Sequence, residues 1–145
     1  MFTGIIQAIG TVAALRPVGG DYRLTVEAGA LDLRTAALGD SIAVNGVCLT
    51  AVELSADRFS ADLSIETLNR TTLQGLRAGS PVNLEKALTL ATPLGGHLVS
   101  GHVDGVGELL SLAPAGRSRL LRLRAPRELA RYIAAKGSIT VEGVS

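Results

Sequence analysis

Short apolar runs, broken by glycines and by two-residue turn signals, set the rhythm of this chain. Ser41-Ile42-Ala43-Val44 and Val47-Cys48-Leu49-Thr50-Ala51-Val52 flank Asn45-Gly46. That pair suits a type I′ hairpin turn, which needs positive φ at both central residues. Comparable runs near Ile5 to Ala14, Tyr22 to Glu27, Arg58 to Ser64 and Pro81 to Lys86 bring the count to about six strands. Further on, Leu121-Arg122-Leu123-Arg124 alternates as a strand with one wet face does. Gly4, Gly10, Gly101, Gly105 and Gly107 spoil clean alternation, which predicts bulges or corners where a small barrel bends. Closure into a barrel also removes exposed strand edges.

The pattern returns at an offset of 97 residues. Gly4-Ile5-Ile6-Gln7-Ala8-Ile9-Gly10 reappears as Gly101-His102-Val103-Asp104-Gly105-Val106-Gly107, and Ser41 to Cys48 reappears as Ser138 to Ser145. Pro17/Pro114, Gly19/Gly116, Leu24/Leu121 and Ala28/Ala125 hold the same register, as expected of a duplicated unit. The period is domain-sized, well above the roughly 20 to 50 residues of solenoid repeats. The reading is a first domain over 1–88, a linker over 89–97 and the first half of a second domain over 98–145. At this offset a complete second copy would run to about residue 185.

Two helical signals interrupt the strands. Pro126, Glu128, Leu129 and Ile133, then Lys136 and Gly137, form a start-and-stop signature for a short helix, with Gly29 to Asp40 as its first-copy equivalent. Glu66-Thr67-Leu68-Asn69-Arg70 is a weaker helical turn, with Ser64 as its cap.

Composition narrows the functional classes. The net charge of +1 supplies no field toward nucleic acid or an anionic membrane. Six arginines between Arg117 and Arg131 read as a solvated face, since four aromatics give few stacking platforms for bases. The uncharged stretch from Ala87 to Val103 contains Pro93, three glycines and two histidines, and so makes a poor membrane span. One cysteine, Cys48, and a start without a basic and then apolar leader predict a cytoplasmic protein.

No general cofactor or metal motif is present: no phosphate-binding G-x-x-x-x-G-K-[ST], no dinucleotide G-x-G-x-x-G after a strand, no C-x-x-C and no H-E-x-x-H. His97 and His102, five apart, point to opposite faces if that segment is a strand, which argues against a shared metal. By residue type the reactive side chains are His102 and Cys48, each of which also has a structural reading, as a carbonyl-bonding imidazole and a small buried hydrophobe. Asp62 and Glu66 could be surface charge or acid/base groups.

Met1-Phe2-Thr3-Gly4-Ile5, Val44-Asn45-Gly46-Val47-Cys48-Leu49-Thr50, Ile65-Glu66-Thr67-Leu68, Val82-Asn83-Leu84-Glu85 and Gly95-Gly96-His97-Leu98-Val99-Ser100-Gly101-His102-Val103 resemble, in order, the signature blocks of riboflavin synthase of the α-chain type. The resemblance implies an all-β fold of tandem six-stranded Greek-key barrels with short helices, the second barrel incomplete in this chain. It implies dismutation of two 6,7-dimethyl-8-ribityllumazine molecules to riboflavin and 5-amino-6-ribitylamino-uracil, with no cofactor and no metal. The family site lies between an N-terminal and a C-terminal barrel of neighbouring subunits in a homotrimer. Association with lumazine synthase is a further expectation, and pairing of N-terminal barrels into a dimer is expected of a shortened chain. A non-catalytic lumazine-binding fluorescent protein is the alternative of similar sequence and fold.

Carried over by position, the ligand of the first barrel would be surrounded by Gly4, Ile5, Ile6, Cys48, Leu49, Thr50, Asp62, Leu63, Ser64, Ile65, Glu66, Thr67, Gly101, His102 and Val103. Glycines would let main-chain amides reach the pyrimidinedione edge, while Thr50, Ser64 and Thr67 would offer hydroxyls to the ribityl chain. Lys136 and Ser145 match positions of the second barrel's site, and Phe2 would cover the ligand. Proton transfer or nucleophilic addition would fall to His102, Cys48, Ser41 and, on the second-barrel side, Ser145.

Overall fold

A computed structural model describes residues 1–145. Its strands are β1 (Ala8–Val18), β2 (Asp21–Glu27), β3 (Ser41–Val44), β4 (Val47–Leu54), β5 (Arg58–Leu63) and β6 (Pro81–Lys86), which close into a barrel in the order β1-β2-β5-β4-β3-β6. β3, β4 and β5 are joined by consecutive hairpins, and β2 returns beside β5, which is a Greek key. All six expected strands are present. Closure leaves no strand edge free within the barrel.

Alternation explains the barrel core. Leu24 and Val26 of β2, Phe59, Ala61 and Leu63 of β5, Val47 and Leu49 of β4, and Val82 and Leu84 of β6 point inward and are buried. The strand β1 serves two neighbours: Ala8–Thr11 pairs with β6 and Thr11–Val18 with β2, with a bulge between Val12 and Ala14 that lets one strand turn the corner. At Gly10 a Cβ would lie 2.7 Å from the Glu27 carbonyl oxygen, so only glycine admits the crossing. Asn45 (φ 48) and Gly46 (φ 81) form the positive-φ turn between β3 and β4.

The helix α1 (Ile65–Arg70) forms where expected, with Ser64 Oγ accepting from the Thr67 amide at 3.0 Å. The other expected helix does not. Gly29 to Asp40 contains only turns, because Leu31 and Leu33 both enter the core. Residues two apart share a side on extended chain but not on a helix. Pro126 to Lys136 is reduced to turns and a single 3₁₀ turn, Ala130–Tyr132. Tyr132 and Ile133 are exposed there, and a segment this short does not hold a helix without a surface to bury its apolar face against.

Beyond the barrel, β7 (Glu108–Ala115) and β8 (Ser118–Arg124) form a separate two-stranded sheet. Its bulge, between Leu109 and Ser111, falls 97 residues after the one in β1. Leu121 and Leu123 form a strand as expected, but one with both faces exposed and not the single wet face that alternation suggested.

Candidate functional site

The site begins where the two halves of the chain exchange their leading segments. Phe2 and Val99, 97 residues apart, pair reciprocally: the Phe2 amide donates to the Val99 carbonyl at 2.8 Å and the Val99 amide to Phe2 at 3.0 Å. Two steps on, each segment reaches the hairpin of the other half. The Ser145 amide donates to the Gly4 carbonyl at 3.0 Å, and the Cys48 amide to the Gly101 carbonyl at 2.9 Å. Both pairs of partners are related by the same offset, so a local twofold relates the two half-sites.

Glycine is required at these crossings. Gly4 (φ 74) and Gly101 (φ 77) lie in the left-handed region, and a Cβ on Gly101 would sit 2.7 Å from the Phe2 ring and 2.8 Å from Cys48 Cβ, while one on Gly4 would strike Ser145 Cβ. The turns themselves meet at the centre: a Cβ on Gly46 would lie 2.7 Å from the Gly143 nitrogen, and one on Gly143 would lie 2.8 Å from the Gly46 nitrogen. Glu142 (φ 50) and Gly143 (φ 82) repeat the turn of Asn45 and Gly46, with Val141 and Val144 bridged beside them. Asn83 ties the turns together, its amide donating to Asn45 Oδ1 at 2.7 Å and its Nδ2 to the Glu142 carbonyl at 2.9 Å.

A buried carboxylate anchors the crossing. Glu85, 2% exposed, accepts from the Thr3 amide and Oγ1, both at 2.6 Å, and from the Gly4 amide at 3.1 Å. Thr3 and Gly4 in turn accept from the amides of His97 (2.9 Å) and Ser145 (3.0 Å). His97 Nδ1 then lies 2.7 Å from Ser145 Oγ.

This geometry regroups the expected residues. Gly4 and Ile6 lie against the Ser145 hairpin, Ile6 Cδ1 being 3.2 Å from a Cβ built on Gly143, whereas Gly101 lies against Cys48. The first segment therefore belongs with the second half's hairpin and not with Cys48, because the leading strands are exchanged. Nor do Gly4 and Gly101 both present free main chain: the Gly4 amide and carbonyl and the Gly101 carbonyl are all engaged within the chain. Phe2, 1% exposed, is a buried wedge at the crossing and has no ring surface to lay over a ligand. The Leu49 and Leu63 side chains are also turned into the core.

Around Cys48 the sheet gathers several polar groups. Ser41 pairs in register with Thr50 across β3 and β4. The Ala51–Ala61 pairing of β4 and β5 sets Thr50 and Asp62 one position further along, both outward-facing and exposed. Asp62 is held by Arg23 in a two-pronged contact at 2.7 and 3.0 Å, and Arg23 also reaches Glu53 at 2.6 Å. The hydrogen bond from Arg23 holds the Asp62 carboxyl below the usual range. Ser64 and Thr67 hydroxyls bond each other at 3.0 Å, Ile65 is exposed, and Glu66 pairs with Arg70 at 2.8 Å. The His102 amide donates to Ser100 Oγ at 3.2 Å, and His102 and Val103 are exposed beside Gly101. Lys136 (φ 61) stands in an exposed turn and forms no ion pair.

His97 was weighed only as a metal ligand beside His102 and was not among the expected site residues. It falls in the expected linker, and only the fold brings it to Ser145. Two hollows lie apart from the crossing, one of about 210 Å³ lined by Leu15, Tyr22, Ile65, Leu68, Asn69 and Gln74, the other of about 330 Å³ on the outer barrel wall near Arg16 and Arg58. Neither hollow reaches Cys48, which is half-buried, or Ser145, which is exposed.

The chain is thus a small Greek-key barrel whose leading segment is exchanged with that of a second, like half. The lumazine binding domain model matches residues 3–87 and 100–145. Riboflavin synthase of Photobacterium phosphoreum is 48% identical over the whole chain, which covers 66% of that protein. The riboflavin synthase of Mycobacterium bovis is 48% identical, with 72% of it covered, and that of Bacillus subtilis 41% identical, with 67% covered. Among solved structures, LumP complexed with riboflavin superposes with a TM-score of 0.88 at 26% identity, covering 99% of this chain and 78% of that one. LumP complexed with 6,7-dimethyl-8-(1'-D-ribityl) lumazine gives a TM-score of 0.85 at the same identity, covering 99% of this chain and 77% of that one. The chain belongs to the riboflavin synthase family and spans about two thirds of the length of these relatives.

Proposed function

We propose that this chain binds 6,7-dimethyl-8-ribityllumazine and serves the dismutation of two such molecules to riboflavin and 5-amino-6-ribitylamino-uracil. The observation that carries the reading is the exchanged pair of half-sites, Gly101 with Cys48 and Gly4 with Ser145, each bound by one main-chain hydrogen bond. A reaction between two copies of one molecule gains from sites related by a twofold, since holding both ligands converts an encounter into a pre-oriented step. Cys48, Thr50, Ser41, Asp62 to Thr67 and Gly101 to Val103 form the first half-site. Gly4 to Ile6, Lys136 and Ser145 belong to the second.

In this reading residues 1–88 are one lumazine-binding repeat, 89–97 the link and 98–145 part of a second repeat. Whole-length family chains assemble as cytoplasmic homotrimers, with lumazine synthase as a partner, whereas chains of this length pair as dimers through their barrels. Fluorescence titration with the lumazine tests binding: the expected result is a saturable change that weakens in a Thr50→Ala, Asp62→Ala double variant. The absence of saturation refutes the reading. Riboflavin formation without added cofactor tests turnover, with the 145-residue chain expected to be nearly inactive, and sedimentation mass tests assembly. The likeness to the LumP complexes favours one other reading, binding without turnover. Riboflavin formation by a chain of the relatives' length, carrying these residues, separates the two.

A further inference from the structure

The twofold at the crossing relates main chain to main chain, but it fails at the side chains. Cys48 and Ser145 occupy equivalent places, each amide bonded to a positive-φ glycine of the opposite half. Ser145 Oγ has an imidazole partner, His97 Nδ1 at 2.7 Å, while the Cys48 thiol hydrogen-bonds no side chain. The His97 ring is also placed by structure and not by chance proximity. One buried carboxylate, Glu85, fixes Thr3 and Gly4, and these adjacent carbonyls hold the amides of His97 and Ser145.

We propose that His97 is a positioning residue for Ser145, which makes the two lumazine half-sites chemically unlike: a base-assisted hydroxyl at one, an unassisted thiol at the other. The inference rests on the lumazine reading above. With the imidazole proton on Nε2, the Ser145 hydroxyl donates to Nδ1 and keeps its oxygen lone pairs toward the ligand. The acidic C7 methyl of lumazine then loses its proton to Ser145 Oγ as the hydroxyl proton passes to Nδ1. This leaves a ligand carbanion and an imidazolium, with no other reactant consumed. On the Cys48 side the His102 ring hydrogen-bonds neither the thiol nor any hydroxyl, so the carbanion forms on the Ser145 side.

The test is hydrogen–deuterium exchange of the C7 methyl group, followed by proton NMR in D₂O on the 145-residue chain saturated with 6,7-dimethyl-8-ribityllumazine. Wild type is expected to exchange the methyl faster than free ligand does. His97→Leu and Ser145→Ala are each expected to slow that exchange roughly tenfold or more, and the double variant no further, because the two act as one unit. His97→Asn, whose amide oxygen can accept the hydroxyl's hydrogen bond but cannot take its proton, is expected to exchange as slowly as His97→Leu, and a wild-type rate in that variant would overturn the transfer to Nδ1. Ser145 is exposed at the surface, so its variant remains informative if a His97 variant misfolds. Saturable binding with exchange no faster than in free ligand, or indifferent to both residues, overturns the proposal and leaves the binding reading intact. Multiplying single-variant effects also overturn it, and a failure to bind lumazine at all overturns both.

Discussion

Replacing Glu85 with glutamine should loosen the crossing of the two halves while leaving the barrel closed. The carboxylate is 2% exposed and accepts three hydrogen bonds, two at Oε1 and one at Oε2. A glutamine keeps one acceptor oxygen and presents an NH₂ group where the other stood, so at least one buried donor, the Thr3 or the Gly4 amide, faces another donor. A charge-assisted bond contributes about 1.5–3 kcal/mol and an unsatisfied buried donor costs about 1–3 kcal/mol. Because the lost bond and the orphaned donor are two views of one event, the expected loss is about 2–4 kcal/mol and not their sum. At roughly 4 °C or more per kcal/mol for a domain of this size, Tm should fall by about 10 °C. Circular dichroism melting gives the overall loss, and amide exchange by NMR localises it. The amides of Thr3, Gly4, His97 and Ser145 should lose protection together, while those of Val26 and Phe59 in the barrel keep theirs relative to global unfolding. A Tm within 1–2 °C of wild type, with protection unchanged at those four amides, would refute the anchoring role.

Gly101→Ala combines positive φ with contacts to Phe2 and Cys48, whereas Gly19→Ala has the same backbone class (φ 62) and open space. The Gly19 variant should cost about 1–2 kcal/mol by urea unfolding and the Gly101 variant clearly more, and equal costs would show that the crossing is not tightly packed. Ser64→Ala removes the cap of α1 and should cost about 1 kcal/mol, with Ser64→Gly costing less; a neutral alanine variant contradicts the cap. Asp62, held by Arg23 below the usual carboxyl range, binds fewer protons folded than unfolded across the interval between its two pKa values. Its stabilisation is therefore complete above the unfolded value of about 3.9 and is lost as pH falls through the folded value. The stability gap between wild type and Asp62→Asn should be present at neutral pH and close in acid, and a gap that widens in acid would reverse the argument.

Local chemistry along the chain determined a good deal of this protein. The β3–β4 hairpin was legible because Asn45-Gly46 is one of few pairs that accept positive φ twice, and the six barrel strands because their inward positions alternate. Ser64 was legible as a cap, since a short side-chain oxygen ahead of α1 meets a free amide three residues on. The same local reasoning failed at Gly29 to Asp40 and at Pro126 to Lys136, where helical start and stop signals were present. At the first, the barrel core takes Leu31 and Leu33 from extended chain, and at the second no apolar surface supports the helix.

The site was legible as a set of residues and not as an arrangement. Offset and motif found Gly4, Cys48, Gly101 and Ser145, but they assigned Gly4 to the Cys48 half-site, gave Phe2 a role at the ligand and passed over His97 as a site residue. Tertiary structure decided that the leading segments cross, that Phe2 is the wedge between them, and that Glu85 sets His97 against Ser145. The physical reason is range. Turns, caps and strand alternation depend on neighbours a few residues away, whereas the partners of Gly4, Gly101 and Glu85 lie from 53 to 141 residues off along the chain. Two similar hairpins offer each leading segment an equivalent place to bind, and only the packed barrel and its buried carboxylate select between them.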